Sequence, residues 1–342
     1  MPVHNFRPAR GTIETVPIES KALKGNLLGD PAARIVAVYL PEGYEAGGGE
    51  YHLFVDLAGF TGSGLKHLSW SLFGESIPQR LDRLVQEGRM KPVIAAFPDC
   101  FTSLGGNQYI NSAATGMWAD FLIDEMIPAL EKRFRIRKGR ENRALFGKSS
   151  GGYGAIVHGL RYADAWNAVA CHSGDMNFDL CYRSDFLKVL DTLAKHDRSI
   201  RRYLEHLCEK PKMTGDDLHI LMQLAMAATY DPDPSAYKGI RLPVDLETGE
   251  LDEERWAAWL QHDPVRLVKR PECQESLRRL AGLYIDCGFK DQYTLHYGAR
   301  AFVRELKKAG IPHHYEEFDD DHTAVDYRQD VSFPFLYRAL TG

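Results

Sequence analysis

RALFGKSSGGYGA, residues 143–155, decides how this chain is read. An apolar run from Ala144 to Phe146 meets a cluster of glycines that holds two adjacent serines, and a helical pattern follows from Gly151. The order is strand, tight turn, helix. Within it, Gly147-Lys148-Ser149-Ser150-Gly151 has the spacing G-x-S-x-G. A serine on so sharp a turn is held in a strained backbone that lifts its hydroxyl clear. Side chains two residues to either side would collide, so both positions favour glycine. Only Ser149 has glycine at both flanks; Ser150 has Lys148 and Gly152. The following helix points its N-terminus at the turn, where amide groups face developing negative charge. Ser149 is the expected nucleophile.

Outward from this stretch the chain alternates strands and helices. Residues 34–44, 51–60 and 91–100 read as strands. The second is apolar and the third is short and continuously apolar; such runs suit strands buried on both faces of a parallel sheet. Residues 76–88 and 116–134 have helical spacing; in the second, Trp118, Phe121, Leu122, Met126, Ile127 and Leu130 fall on one face. Residues 167–174, 280–288 and 312–318 continue as strands, with a helix at 294–310. Strands that alternate with helices predict an α/β architecture with a mainly parallel central sheet flanked by helices. Residues 176–270 break the rhythm with helical patterns alone. They predict a helical cap inserted into a core domain made of 1–175 and 271–342.

Serine needs a base, and the base needs an orienting carboxylate. His322, in FDDDHTAVDY, lies in a polar loop after the last strand, where an imidazole reaches across the strand ends. His172 ends a strand and is the weaker alternative; His158 is expected to pack. The run LYIDCGFKDQY offers Asp286, inside a strand, and Asp291, in the loop beyond its carboxyl edge, where ligands bind in open α/β sheets. Asp291 is the preferred acid. The order Ser149, Asp291, His322 is that of the α/β-hydrolases. Two oxyanion donors are expected: the amide of Ser150, and one from the loop at Gly59 and Phe60, with Phe60 first and Gly59 next. Tyr109, Asn111, Trp70 and Met176 are candidates for the substrate pocket.

Composition narrows the class. Apolar residues are 44% and charged residues 26% of 342, an ordinary globular balance. A net charge of −5 without a basic stripe argues against a nucleic-acid partner. No 18-residue apolar run or signal-peptide core is present, so no membrane association is expected. Six cysteines without a CxxC pair fit free thiols in the cytoplasm. Asp320, Asp321 and His322 lack metal-ligand spacing, so neither metal nor cofactor is expected.

Four segments together resemble the esterase D-like branch of the α/β-hydrolases, which includes enterochelin esterases, S-formylglutathione hydrolases, feruloyl esterases and mycolyltransferases. They are VAVYLPEGY with the strand and glycine loop after it; GGNQYINSAATGMWADFLIDEMIPALEKRFR; RALFGKSSGGYGAIVHGLRYADAWNAVACHSG; and LYIDCGFKDQY with FDDDHT. The resemblance implies an α/β-hydrolase fold and a serine carboxylesterase acting on a small-molecule ester through a Ser149–His322–Asp291 triad. Acyl transfer to an alcohol or sugar, and thioester hydrolysis, are the alternative activities it carries. A homodimer is expected only on the frequency of dimers among enzymes.

Overall fold

The computed structural model describes residues 4–342. Eight strands form one sheet: β1 (Thr12–Glu19), β2 (Ala33–Leu40), β3 (Leu53–Leu57), β4 (Ile94–Pro98), β7 (Arg143–Lys148), β8 (Ala168–His172), β9 (Gly282–Gly288) and β10 (His314–Phe318), while β5 (Asn111–Ser112) and β6 (Gly116–Met117) make a small separate hairpin. The sheet order is β1-β2-β4-β3-β7-β8-β9-β10. From β4 to β10 every pairing is parallel; β2 runs antiparallel to β4, and β1 antiparallel to β2. The central strands β3, β4, β8 and β9 are buried along their whole length, which explains their largely apolar sequences; the polar residues they do carry, Asp56, His172 and Asp286, are buried with partners.

Helices cover both faces. They are α1 (Ile77–Gln86), α2 (Trp118–Asp120), α3 (Ile127–Arg133), α4 (Ser150–Arg161), α5 (Phe178–Cys181), α6 (Phe186–Ala194), α7 (Ile200–Glu209), α8 (Gly215–Tyr230), α9 (Glu253–Leu260), α10 (Pro264–Leu267), α11 (Pro271–Arg278), α12 (Leu295–Lys308) and α13 (Gln329–Thr341). One core layer joins α2, α3, α4 and α12 to the sheet; the other puts α1 and α13 against Phe54, Phe97, Phe146 and Tyr284. The expected helix over 116–134 is interrupted by a π-helical turn, Phe121–Met126, just before Pro128. Pro128 has no amide to continue the α-helical ladder.

Between β8 and β9 the chain is helical from α5 to α11. Phe178, Tyr182, Tyr230, Trp256 and Trp259 pack there as one aromatic cluster continuous with the main core. Strand β1 was not expected. It sits at the sheet edge with its outer positions exposed, and it contains Pro17, which only an edge strand or bulge accommodates.

Candidate active site

The turn between β7 and α4 explains its own sequence. Ser149 has φ 58° and ψ −124°, a left-sided backbone that a residue with a side chain rarely adopts. Its amide donates to the His172 carbonyl (2.9 Å) and its carbonyl accepts from Tyr153 (2.8 Å), so neighbouring structure fixes the strained residue. A Cβ at Gly151 would stand 1.8 Å from the Leu57 carbonyl oxygen, and one at Gly147 2.4 Å from Gly151. Both flanking glycines are required because β3, β7 and α4 meet there with no space for a methyl group.

The loop after β3 closes on the same serine. A Cβ on Gly59 would lie 3.4 Å from the Ser149 Cβ. The Phe60 carbonyl is held by the Gly106 amide at 2.7 Å. Among the described residues, the amides of Gly59, Phe60 and Ser150 have no hydrogen-bond acceptor.

His322 follows β10. Its Nδ1 is 2.7 Å from Asp291 Oδ2, and its amide donates to Gln292 Oε1 at 3.0 Å. Asp291 is buried just past β9, and its other oxygen accepts from the Tyr293 amide at 2.9 Å. The Tyr293 ring meets the imidazole edge-on, 4.9 Å between centroids. Ser149 and His322 border one cavity of about 480 Å³, with no hydrogen bond joining the Ser149 hydroxyl to the ring. Gly59, Phe60 and Trp70 line the same cavity, as do Cys181, Tyr182, Leu218 and Met222 from the helical segment.

The alternatives Asp286 and His172 bond to each other instead. His172 Nδ1 lies 2.7 Å from Asp286 Oδ1, and its Nε2 lies 2.9 Å from the Ser332 hydroxyl on α13. Arg328 and Tyr284 both donate to Asp286 Oδ2 at 2.9 Å. Burial opposes the Asp286 charge, but His172 and Arg328 outweigh it and hold the carboxyl below its usual range. Every polar atom of this pair is occupied, on the α13 side of the sheet.

Three pocket candidates fall outside the cavity lining. Tyr109 is buried, φ 61°, with its hydroxyl donating to the Ala58 carbonyl at 2.6 Å. Asn111 Oδ1 accepts from the amides of Ala119 and Asp120, so it caps α2. Met176 is buried where its backbone packs against Gly298 of α12. Trp70 is at the rim, 68% exposed.

Sequence reading missed two features of the cavity. Asp175 lines it and is buried; its Oδ2 accepts from the Tyr182 hydroxyl at 2.9 Å and the Ser150 hydroxyl at 3.3 Å, and burial pushes its carboxyl up. His67, on the short 3-10 turn Gly64–Leu68, points Nδ1 at Asp56 Oδ2 of β3, 2.5 Å away. GLKHLSW, residues 64–70 at the end of the glycine loop, carries no spacing that would have singled out His67. Among the described residues, no group of histidine, cysteine or acidic side chains has the arrangement of a metal site, and no helix is long and apolar enough to cross a membrane.

A strained serine between strand and helix, a loop amide beside it, and a histidine on the same cavity bonded to a buried aspartate define a protein of the α/β-hydrolase class. The chain belongs to the family described as "Putative esterase", whose model matches residues 31–333. An endo-1,4-beta-xylanase/feruloyl esterase of Xylanibacter ruminicola is 31% identical over 116 residues, 34% of this chain and 16% of that protein. Esterase Rv1288 of Mycobacterium tuberculosis is 31% identical over 90 residues, 25% of this chain and 19% of that one. The chain thus spans less than a fifth of the length of these curated relatives. Among solved structures, a ferulic acid esterase superposes with a TM-score of 0.62 at 20% identity, covering 96% of this chain and 99% of that one. An S-formylglutathione hydrolase from Agrobacterium tumefaciens does so with a TM-score of 0.55 at 15% identity, covering 98% of both. At these identities the structures share the fold.

Proposed function

We propose that this protein is a serine carboxylesterase that hydrolyses small-molecule esters through an acyl-enzyme. The observation that carries the reading is the elbow itself: Ser149 at φ 58°, packed against Gly59 and sharing a cavity with His322. His322 takes the hydroxyl proton as Oγ attacks the ester carbonyl. Asp291 fixes the tautomer with the Nδ1 proton toward itself, leaving Nε2 as the base, and stabilises the imidazolium. The amides of Ser150 and Phe60, with Gly59 beside them, receive the oxyanion; their lack of other acceptors supports that role. His322 then gives its proton to the leaving alcohol. Water repeats the attack on the acyl-enzyme and frees Ser149.

Residues 176–270 act as a cap in this reading, supported by the side chains that α5 and α8 lend to the cavity wall. The six cysteines are all unpaired, which supports residence in a reducing cytoplasm. The test is hydrolysis of 4-nitrophenyl acetate and butyrate by the parent and by Ser149→Ala. The expected result is turnover in the parent and loss of at least ~1000-fold in the variant. Equal turnover in both refutes the assignment.

A further inference from the structure

Three basic side chains line the catalytic cavity: Lys66, His67 and Lys148. Lys148 occupies the x position before the nucleophile, half-buried. Among the described residues its ammonium makes no hydrogen bond and no ion pair. Lys66 also makes no ion pair and stands at the exposed mouth. His67 is clamped at Nδ1 by the buried Asp56, with side-chain exposures of 26% and 1%, which leaves Nε2 without a protein partner. Burial opposes charge on His67, but Asp56 outweighs it, so the ring is held above its usual range. Burial likewise pulls Lys148 below the normal lysine range.

Asp56 balances His67, but among the described residues no carboxylate is hydrogen-bonded or ion-paired to the Lys148 or Lys66 ammonium. Glu75 is bound by Arg83 and Asn5, and Asp175 by Tyr182 and Ser150. Asp326 lies near both Lys148 and His67, is exposed, and makes no ion pair with either. A half-buried ammonium without a partner is costly, and an anionic oxygen placed against it recovers a charge-assisted hydrogen bond.

We propose that Lys148, His67 and Lys66 form an anion subsite, and that the preferred ester carries a carboxylate or phosphate-type group beside the scissile bond. This rests on the esterase reading and names its substrate class. The anion sits against Lys148 and His67 Nε2, while Lys66 draws it in from the mouth. Subsite and nucleophile are neighbours in sequence, so the anionic group is held close to the attacked carbonyl.

The test compares three 4-nitrophenyl esters of matched chain length: the hemisuccinate, its methyl ester, and a phosphonopropionate. kcat/KM is measured at low salt for the parent and for Lys148→Met and His67→Gln. In the parent at least one anionic ester is expected to exceed the neutral one by about tenfold, or 1.4 kcal/mol. The ratio should fall towards one in both variants and shrink with added salt. Whichever anionic ester leads identifies carboxylate or phosphate as the natural group. A parent ratio of one or below overturns the subsite, as does a ratio unchanged in both variants. Neutral-ester turnover that is lost in Ser149→Ala supports the esterase reading whatever the ratio, so the two failures are separable.

Discussion

Lowering the pH from 7 to 4.5 should destabilise this protein through one buried imidazole. His158 on α4 is fully buried. Its Nε2 lies 2.8 Å from the Tyr109 carbonyl, so it donates there, and its Nδ1 accepts from the Trp166 indole at 3.0 Å. Both nitrogens are committed in the neutral ring. A second proton would sit on Nδ1 facing the indole N–H, in a fully buried site. Burial pushes the folded value down to about 4 from an ordinary 6.5. The folded value is the lower one, so between those limits the unfolded chain binds more protons. The stability contribution is whole above about pH 6.5, declines as pH falls, and is gone near pH 4. At pH 4.5 the loss relative to pH 7 is about 2.5 kcal/mol. His158→Gln keeps a donor for Tyr109 and an acceptor for Trp166 but cannot titrate. Urea unfolding of parent and variant at pH 7 and 4.5 isolates the effect from other ionising groups. The variant should be weaker at pH 7 by about 1–2 kcal/mol, yet lose about 2.5 kcal/mol less on acidification. Equal acid losses in the two proteins would refute the reasoning.

Two aspartates five residues apart, one inside β9 and one in the loop beyond it, should separate cleanly. Asp291→Asn should cut ester turnover by about 10²–10⁴-fold with little change in melting temperature, because the amide favours the wrong tautomer of His322. Asp286→Asn removes the buried carboxylate that faces His172 and Arg328 and leaves Arg328 only the half-exposed Glu316 as an anionic partner, so it should cost about 3 kcal/mol in thermal unfolding. At temperatures where that variant is folded it should still label with a fluorophosphonate. Gly151→Ala drives a methyl group into the Leu57 carbonyl and should cost about 3 kcal/mol or more by chemical denaturation; a change under 1 kcal/mol would contradict the packing described at the elbow.

The sheet was legible because its inner strands are buried on both sides, which leaves largely apolar runs such as LFV and IAAF. The elbow was legible because close approach of β3 to α4 leaves glycine as the residue that fits at 147 and 151. Strand β1 was not, since an edge strand that exposes alternate residues and contains Pro17 has no such run. The choice between Asp286 and Asp291 turned on side-chain direction. Asp286 lies within β9 with its oxygens on the α13 side, while Asp291 lies beyond the strand end beside His322. Tyr109 and Asn111 were placed near the site by chain position, but their hydrogen bonds are spent on the backbone of neighbouring segments. The His67–Asp56 contact depends on how a 3-10 turn folds back over β3, a geometry that residue spacing does not encode.

The hydroxyl-bearing bend lies near the middle of the chain, whereas the carboxylate and imidazole come from its final fifth. Under the proposed mechanism, a nascent polypeptide that has exposed everything up to β8 has its serine and no base to remove the proton, so chemical competence arrives last, when β9 and β10 dock on the open edge of β8. A chain truncated before residue 282 would keep the bend's sequence and be inert, and any variant that frays the β9–β10 edge would lose reactivity before it loses the rest of its sheet.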